Sequence, residues 1–210
     1  MNPDLTNIKN IVFDLGNVLL NLDFDASLQA FAKLGAKSEV LDDKNTYSDP
    51  IFYALEVGKA TPVEFRHQVR KILNNNRVSD WQNDDAWCAM IKDIPEKRVT
   101  VIQELKKNYN IYLFSNTNVI HIKRLHKDFL MQYGISFPSL FVKDFHSFEI
   151  LDRKPNLSSF LKVIELSGVN PAETLFVDDL EANILSAQKV GFQIFWLKKG
   201  MEMADLFKIY

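Results

Sequence analysis

The sequence predicts an α/β fold, a doubly wound Rossmann-like parallel sheet with a helical cap domain inserted into it. Short apolar segments rich in β-branched and aromatic residues recur along the 210 residues, as expected for strands that are covered on both faces of a parallel sheet. Amphipathic helical patterns separate these segments, and such alternation is typical of the doubly wound class. A single long interval that contains only helical patterns predicts the inserted cap.

Five segments are predicted as parallel strands: residues 8–13, 111–114, 140–143, 174–177 and 193–197. Apolar residues recur at helical spacing in three stretches between or after them: Val99, Ile102 and Leu105; Leu157, Phe160, Leu161 and Ile164; Ala182, Leu185, Ala187 and Val190. Gly168 and Gly191 follow the last two stretches, as glycines just past helix C-termini do. The core is therefore predicted to consist of alternating strands and helices.

The cap is predicted over residues 20–92, which leaves residues 1–19 and 93–210 for the catalytic core. Phe24, Leu28 and Phe31 recur at helical spacing, and Trp81, Trp87 and Phe52 are predicted to pack inside the cap. Two helix starts are marked by capping patterns at residues 61–64 and 79–82, the first with proline at the first helical position. Ligands bind at the carboxyl ends of the strands in such sheets, so an insert at this point would cover the site as a lid.

Composition narrows the class of protein. Hydrophobic residues make up 47% of the chain, and 25 basic side chains nearly balance 27 acidic ones. No charge run indicates a nucleic-acid or membrane surface, and no apolar run is long enough to cross a bilayer. The single cysteine, Cys88, excludes an internal disulfide framework and fits a reducing compartment. We expect a soluble cytoplasmic protein with no nucleic-acid or membrane partner.

Polar side chains follow three of the predicted strands, and these carry the chemistry. Asp14 ends the first strand, Ser115 ends the second, and Asp178 and Asp179 end the strand at 174–177. The carboxyl ends of parallel strands meet at one edge of a sheet, so these side chains should converge. Lys154 lies in a loop before a predicted helix and should reach the same edge. Core packing alone would not require this arrangement.

These residue types match phosphoryl transfer. A carboxylate such as Asp14 can attack phosphorus and form an aspartyl-phosphate. Mg²⁺ prefers oxygen ligands, which Asp14 and Asp179 could supply while a substrate phosphate completes the coordination. The hydroxyl of Ser115 and the charge of Lys154 can stabilise the transferred phosphoryl group. The sequence therefore predicts a Mg²⁺-dependent enzyme that acts on a small phosphorylated substrate.

The segments FDLGNVL, LFSNTN, RKP and FVDDLEAN resemble, in order, the four motifs of the haloacid dehalogenase superfamily. The insert resembles the family's C1-type cap, and the chain is most similar to a subgroup that includes α-glucose-1-phosphate phosphatase and the phosphatase domain of soluble epoxide hydrolase. The resemblance implies Asp14 as nucleophile and metal ligand, and Lys154 as the stabilising cation. It further implies Ser115 and Asn116 as phosphate contacts and Asp179 as a metal ligand. Asp178 replaces a glycine of many relatives, which implies an ancillary metal role.

The chain departs from this pattern two residues after Asp14. Most superfamily phosphatases have a second aspartate there, which serves as general acid and base; here the residue is Gly16. The carbonyl of Gly16 can still bind Mg²⁺, but glycine has no side chain that could transfer a proton. General acid–base catalysis is typically worth ~10²–10⁴-fold in rate. Either His121, Asp23 or Asp25 replaces it, or the substrate has a good leaving group, or the enzyme is slow. Asp23 and Asp25 are equally expected as helix caps, and His121 as a helix-surface residue.

A second departure is Leu151, at a position where relatives have glycine.

The favoured function is hydrolysis of small phosphomonoesters, including sugar phosphates, through an aspartyl-phosphate. Three alternatives stay open: a 2-haloacid dehalogenase, a phosphomutase, and a degenerate pseudoenzyme that binds phosphate. The sequence predicts neither the physiological substrate nor the oligomeric state.

Overall fold

The structure is a computed structural model that describes residues 3–36 and 49–207. Five strands form one all-parallel sheet in the order β3-β2-β1-β4-β5. Their bounds are β1 Asn10–Phe13, β2 Asn110–Ser115, β3 Lys143–His146, β4 Thr174–Asp178 and β5 Gln193–Trp196. The strand order reverses at β1, which is the topological switch point where ligands bind in open α/β sheets. The predicted α/β fold class is confirmed.

Helices cover the sheet and form the cap. Those of the cap region are α1 Phe24–Lys33, α2 Pro50–Glu56, α3 Pro62–Ile72 and α4 Asp80–Cys88. Those of the core are α5 Glu96–Leu105, α6 Val119–Tyr133, the single turn α7 Ser147–Ile150, α8 Leu157–Ser167 and α9 Glu181–Lys189. Within the described residues, none of them is both long enough and apolar enough to cross a bilayer.

The central strand shows why the sheet is buried on both faces. Side chains alternate along a strand, so Ile11 and Phe13 point into one hydrophobic cluster and Val12 into another. The first cluster includes residues of α5 and α6, and the second includes residues of α8 and α9. All four residues of β1 are buried. The continuous apolar character that predicted this strand is therefore the signature of two covered faces.

A third hydrophobic cluster belongs to the cap. Phe31, Phe52, Phe65 and Trp87 pack together there, and Ile120 of α6 joins them from the core. The capping boxes predicted at residues 61–64 and 79–82 are both present and start α3 and α4. The structure thus contains a helical layer with a core of its own, while the division at residues 20 and 92 stays a prediction.

The predicted strand at 140–143 was wrong in position. Residues Phe137–Leu140 form a 3₁₀ turn, and the strand begins only at Lys143. β3 lies at the edge of the sheet and buries fully only Phe145 and His146. An edge strand needs less apolar surface than a central one, and the apolar residues Leu140 and Phe141 are buried ahead of β3 and not within it.

Not every apolar residue of the predicted helical patterns is buried, although the helices exist. In α8, Phe160 of the predicted pattern is buried together with Val163, whereas Leu157 and Leu161 are exposed. Trp81, expected inside the cap, is 71% exposed. Phe24 and Leu185 are exposed as well. A stripe of apolar residues marks a helix, but when it is wide the sequence does not say which edge of the stripe is buried.

Candidate active site

The ends of β1, β2 and β4 bring the predicted site residues together. Asp14 follows β1, Ser115 is the last residue of β2, and Asp178 is the last residue of β4. The backbone N–H of Asp14 donates to the carbonyl of Val177 at 2.9 Å, which continues the parallel pairing one residue past the strand. Backbone pairing therefore fixes the relative positions of the carboxylates.

Lys154 lies at the centre of this group and is 1% exposed. Its ammonium group donates to Asp14 Oδ1 at 2.6 Å, to Asp178 Oδ2 at 2.7 Å and to the carbonyl of Phe114 at 2.8 Å. The three protons of the ammonium are thus all used. Burial alone would lower the pKa of Lys154, but the two carboxylates outweigh it and hold the pKa above its ordinary value. The lysine is a fixed positive charge.

Asn116 positions the segment that carries Lys154. Its side-chain carbonyl accepts from the Lys154 N–H at 2.9 Å, and its side-chain amide donates to the Lys154 carbonyl at 2.9 Å. This two-bond bridge joins the loop after β2 to the loop before α8. The predicted phosphate contact of Asn116 stays a prediction, because in this structure its amide group binds the lysine backbone.

The two adjacent aspartates have different surroundings. Asp178 is fully buried and accepts from Lys154 and from the Leu180 N–H at 2.8 Å. The Asn183 side-chain amide nitrogen lies 3.0 Å from each Asp178 oxygen and donates to both. Asp179 is only half-buried, and its Oδ2 accepts a hydrogen bond from Asn17 at 3.2 Å. Both oxygens of Asp178 are therefore hydrogen-bonded within the protein, whereas Asp179 keeps carboxylate capacity for a ligand.

One carboxylate oxygen from each of Asp14, Asp178 and Asp179 lies within 4.8 Å of the other two. Three carboxylates share one ammonium, so the group has an excess of negative charge. Burial raises the pKa of Asp14 to about 7, although Lys154 pulls it down, and burial also raises the pKa of Asp179. An all-oxygen donor set that favours a further positive charge fits Mg²⁺.

The segment after β2 is tied down by hydroxyl and amide side chains. Ser147 Oγ accepts from the Thr117 N–H and donates to the Thr117 carbonyl, both at 2.9 Å. Asn118 caps α6 by accepting from the backbone N–H groups of Ile120 and His121. Ser115 is buried, and among the residues that the structure describes its hydroxyl makes only a long 3.5 Å contact with the carbonyl of Asn116. Its hydroxyl is therefore available for a ligand at this edge.

His121 does not lie on an exposed helix surface, so that expectation was wrong. Its ring packs 4.6 Å from the ring of Trp87, and its Nε2 lies 3.2 Å from the Trp87 carbonyl. A carbonyl only accepts, so this nitrogen carries the proton. Burial lowers the pKa of His121 to about 4. The imidazole is therefore neutral near pH 7.

Asp23 is a helix cap. Its carboxylate accepts from the Ala26 N–H at 3.1 Å at the start of α1, and it lies 3.5 Å from the ammonium of Lys92. Asp25 is exposed in the first turn of the same helix. Gly16 has little room for a side chain, since an added Cβ would come within 2.8 Å of Leu22 Cδ1. Its predicted carbonyl contact with a metal stays a prediction.

A cavity of about 440 Å³ opens between the cap helices and this edge of the sheet. Aromatic and apolar cap residues form much of its wall, and Asn116, His121 and Arg153 line it from the core. Arg153 is paired with Glu56 of α2 across the cavity, with Nη1 2.6 Å from Oε2. The sequence gives no signal for this pair, although Arg153 adjoins Lys154 in the RKP segment.

The fold and the site define a class of enzyme. A family model for haloacid dehalogenase-like hydrolases matches residues 8–191. This chain belongs to that family. The finer resemblance to the subgroup with α-glucose-1-phosphate phosphatase stays a prediction.

Individual relatives are similar along nearly their whole length. D-ribitol-5-phosphate phosphatase of Bacteroides thetaiotaomicron is 33% identical over 196 residues, which cover 93% of this chain and 94% of the relative. A sesquiterpene phosphatase of Aspergillus oryzae is 25% identical over 191 residues, 89% of this chain and 88% of the relative. A haloacid dehalogenase family enzyme of B. thetaiotaomicron, solved with magnesium and inorganic phosphate, superposes with a TM-score of 0.89 at 36% identity, covering 96% and 100% of the two chains.

Proposed function

We propose that this chain is a Mg²⁺-dependent hydrolase of small phosphomonoesters, sugar phosphates among them, that works through an aspartyl-phosphate. The observation that carries the proposal is the placement of the Lys154 ammonium 2.6 Å from Asp14 and 2.7 Å from Asp178, beside the half-buried Asp179. A nucleophile, a fixed cation and spare carboxylate oxygens therefore lie together at the switch point of the sheet. Phosphoryl transfer needs little more than positioning and charge stabilisation.

Asp14 is the nucleophile. Its carboxylate attacks phosphorus while the bond from phosphorus to the leaving oxygen breaks, and this gives an aspartyl-phosphate and an alkoxide that takes up a proton. Water then attacks the phosphorus of the intermediate, which releases inorganic phosphate and regenerates the Asp14 carboxylate. Lys154 stabilises the charge on the transferred group, and Ser115 and Asn116 contact the phosphate oxygens.

Asp14, Asp179 and the Gly16 carbonyl would hold Mg²⁺, with Asp178 as an ancillary residue. The ion would neutralise charge on the phosphoryl oxygens and reduce the repulsion between an anionic nucleophile and an anionic substrate. A magnesium and phosphate complex of the superposable B. thetaiotaomicron enzyme supports this assignment. So does the phosphatase named among the relatives at 33% identity.

The proton for the leaving alkoxide has no evident donor among the predicted candidates. His121 is neutral near pH 7, because burial lowers its pKa to about 4, and Asp23 caps α1. We therefore propose that a substrate hydroxyl or water supplies the proton. This assignment gives a slower enzyme than relatives that have a second aspartate, by a factor on the order of 10²–10⁴.

A phosphate-release screen over phosphorylated metabolites tests the proposal, run with Mg²⁺ and again with EDTA. We expect release that requires the metal. Chloride release from 2-chloropropionate that resists EDTA would favour the dehalogenase alternative, and isomerised phosphosugar without free phosphate would favour the phosphomutase. Phosphate binding without turnover of any substrate would favour the pseudoenzyme.

A further inference from the structure

The cavity between cap and core contains one charged pair that the chemistry at phosphorus does not use. Glu56 ends α2 in the cap, and Arg153 precedes Lys154 in the core. Asn116 and Arg153, which both line the cavity, adjoin the site residues Ser115 and Lys154 in sequence. A phosphate at the strand ends would therefore place its leaving group in this cavity, beside the pair.

The pair leaves hydrogen-bonding capacity open. Arg153 Nη1 lies 2.6 Å from Glu56 Oε2, but the direction of the N–H does not make a hydrogen bond, and within residues 3–36 and 49–207 no other donor is aligned on this buried oxygen. Burial raises the pKa of Glu56 in spite of the neighbouring guanidinium. Buried polar atoms are normally hydrogen-bonded, so a hydroxyl donor in the cavity would complete the hydrogen bonding of this ion-paired oxygen.

The remaining wall fits the carbon skeleton of such a ligand. Tyr53 lies under the guanidinium of Arg153, with its ring 5.7 Å from Cζ, and Phe24, Trp87 and Met90 line the cavity nearby. A hydroxyl group can donate to Glu56 and accept from Arg153, whereas an alkyl chain can do neither. An apolar leaving group would leave the open hydrogen-bonding groups of the pair without a partner in the cavity, and sites of this kind discriminate strongly against it.

We propose that Glu56 and Arg153 recognise hydroxyl groups of the leaving alcohol, so that the preferred substrates are phosphate monoesters of polyhydroxylated alcohols, sugars or linear polyols, and not of apolar alcohols. This inference rests on the phosphatase function proposed above. It makes the two residues determinants of specificity that act on the leaving group, separate from the residues that act on phosphorus.

Three probe substrates test it: ribitol 5-phosphate as a polyol ester, farnesyl phosphate as an apolar ester, and p-nitrophenyl phosphate as a reference without free hydroxyls. We expect kcat/KM for ribitol 5-phosphate to exceed that for farnesyl phosphate by about 10²-fold or more. In Glu56→Gln and in Arg153→Lys, the ratio of kcat/KM for ribitol 5-phosphate to that for p-nitrophenyl phosphate should fall by about tenfold or more. Glu173→Gln, which alters a surface pair with Lys9, is the matched control.

The ratio separates recognition from a simple contact that holds the cap closed. If the pair only joined cap to core, both substrates would lose activity in proportion, and an unchanged ratio would overturn the inference. Preference for farnesyl phosphate would overturn it as well. If the wild-type chain released phosphate from none of the probes, the proposed function would fail first and the inference with it.

A second measurement needs no variant and so does not depend on their folding. Free ribitol should inhibit the wild-type enzyme competitively when p-nitrophenyl phosphate is the substrate, whereas hexanol at the same concentration should not. Equal inhibition by both alcohols would contradict a role for hydroxyl groups.

Discussion

Lys154 donates a 2.6 Å hydrogen bond to Asp14, and 140 residues of sequence separate the two. The same ammonium binds Asp178 and the carbonyl of Phe114, so it joins the ends of β1, β2 and β4 at one point. This contact orients the carboxylate that we assign as nucleophile. It also offsets part of the cost of burying that carboxylate, and so lowers a pKa that burial raises.

Asp14→Asn should abolish phosphate release, because an amide is not a competent nucleophile at phosphorus. We expect kcat to fall by a factor on the order of 10⁴ or more, as for other covalent nucleophiles. Phosphate release from the best substrate of the screen, at saturating Mg²⁺, is the measurement. Asp4→Asn, at an exposed position, is the control, and substantial residual turnover in Asp14→Asn would rule out its assignment.

Asp178→Asn and Asp179→Asn should affect different properties, the first the stability and the second the Mg²⁺ requirement, although the residues are neighbours. Asp179 is half-buried with one side-chain hydrogen bond, so its variant should fold normally and need about tenfold more Mg²⁺ or more for half-maximal activity. Asp178 binds Lys154 in the interior, and its variant should lose about 1.5–3 kcal/mol of unfolding free energy. Metal titrations and urea unfolding of both variants check this, and an unchanged metal titration for Asp179→Asn would reject it as a ligand.

His121→Gln should leave the shape of the pH–rate profile intact. The pKa of His121 is lowered to about 4 by burial, so the imidazole is neutral from about pH 5 upward and lacks the acidic imidazolium proton near pH 7. The measurement is kcat/KM between pH 5 and 8.5 for the wild type and the variant. His67→Gln, at an exposed cap position, serves as the comparison. Disappearance of one limb of the profile would identify His121 as the missing acid or base.

Gly58→Ala should destabilise the protein by more than the cost of placing alanine at a positive φ. Gly58 has φ +68°, and an added Cβ would overlap the Phe148 carbonyl and lie 2.7 Å from Leu151 Cδ2. We expect a loss of roughly 2–4 kcal/mol by urea unfolding. Gly134→Ala has the same backbone conformation, φ +69°, with open space around it, and isolates the conformational part. Equal losses in the two variants would mean that cap and core do not touch at Gly58 in solution.

Glu202→Gln should lower the folding stability at neutral pH, and should lower it much less at acidic pH. Arg98 hydrogen-bonds both oxygens of Glu202, at 2.8 and 3.0 Å, and lowers the pKa of Glu202 from 4.5 to about 2. A lowered pKa in the folded state adds stability above about pH 4.5, which is lost as the pH falls toward 2. Allowing for solvent screening, we expect the unfolding free energy of the variant to be about 1–2 kcal/mol below that of the wild type at pH 7. This difference should shrink by pH 3. A constant difference across this range would exclude the ion pair as its source.

The central part of the site could be predicted because it follows from strand topology. Asp14, Ser115 and Asp178 each end a strand whose apolar run is continuous, and parallel strands bring their carboxyl ends together. The contacts of Lys154 could not be predicted in the same way. That lysine lies in a loop, where periodicity carries no information about which side chains it meets.

The pairing of Glu56 with Arg153 shows a second limit. The two residues lie 97 positions apart on different structural layers, and neither belongs to an apolar pattern. Leu151 is a different case: it keeps φ at +54°, the left-handed region that glycine would favour at this position. Leucine therefore adopts here a backbone conformation that glycine adopts more readily. Sequence composition alone gives no sign that leucine tolerates it here.

The strand order has a consequence for how the chain is made. β1 is the first strand to be synthesised, yet it lies in the middle of the sheet, and both of its neighbours come from beyond residue 109. During synthesis on the ribosome, β1 therefore has no strand to pair with until β2 and β4 are made. Most of the residues of the cap cluster are synthesised before those two strands. An unpaired apolar strand is prone to aggregation, so β1 is open to that hazard until β2 and β4 have been made.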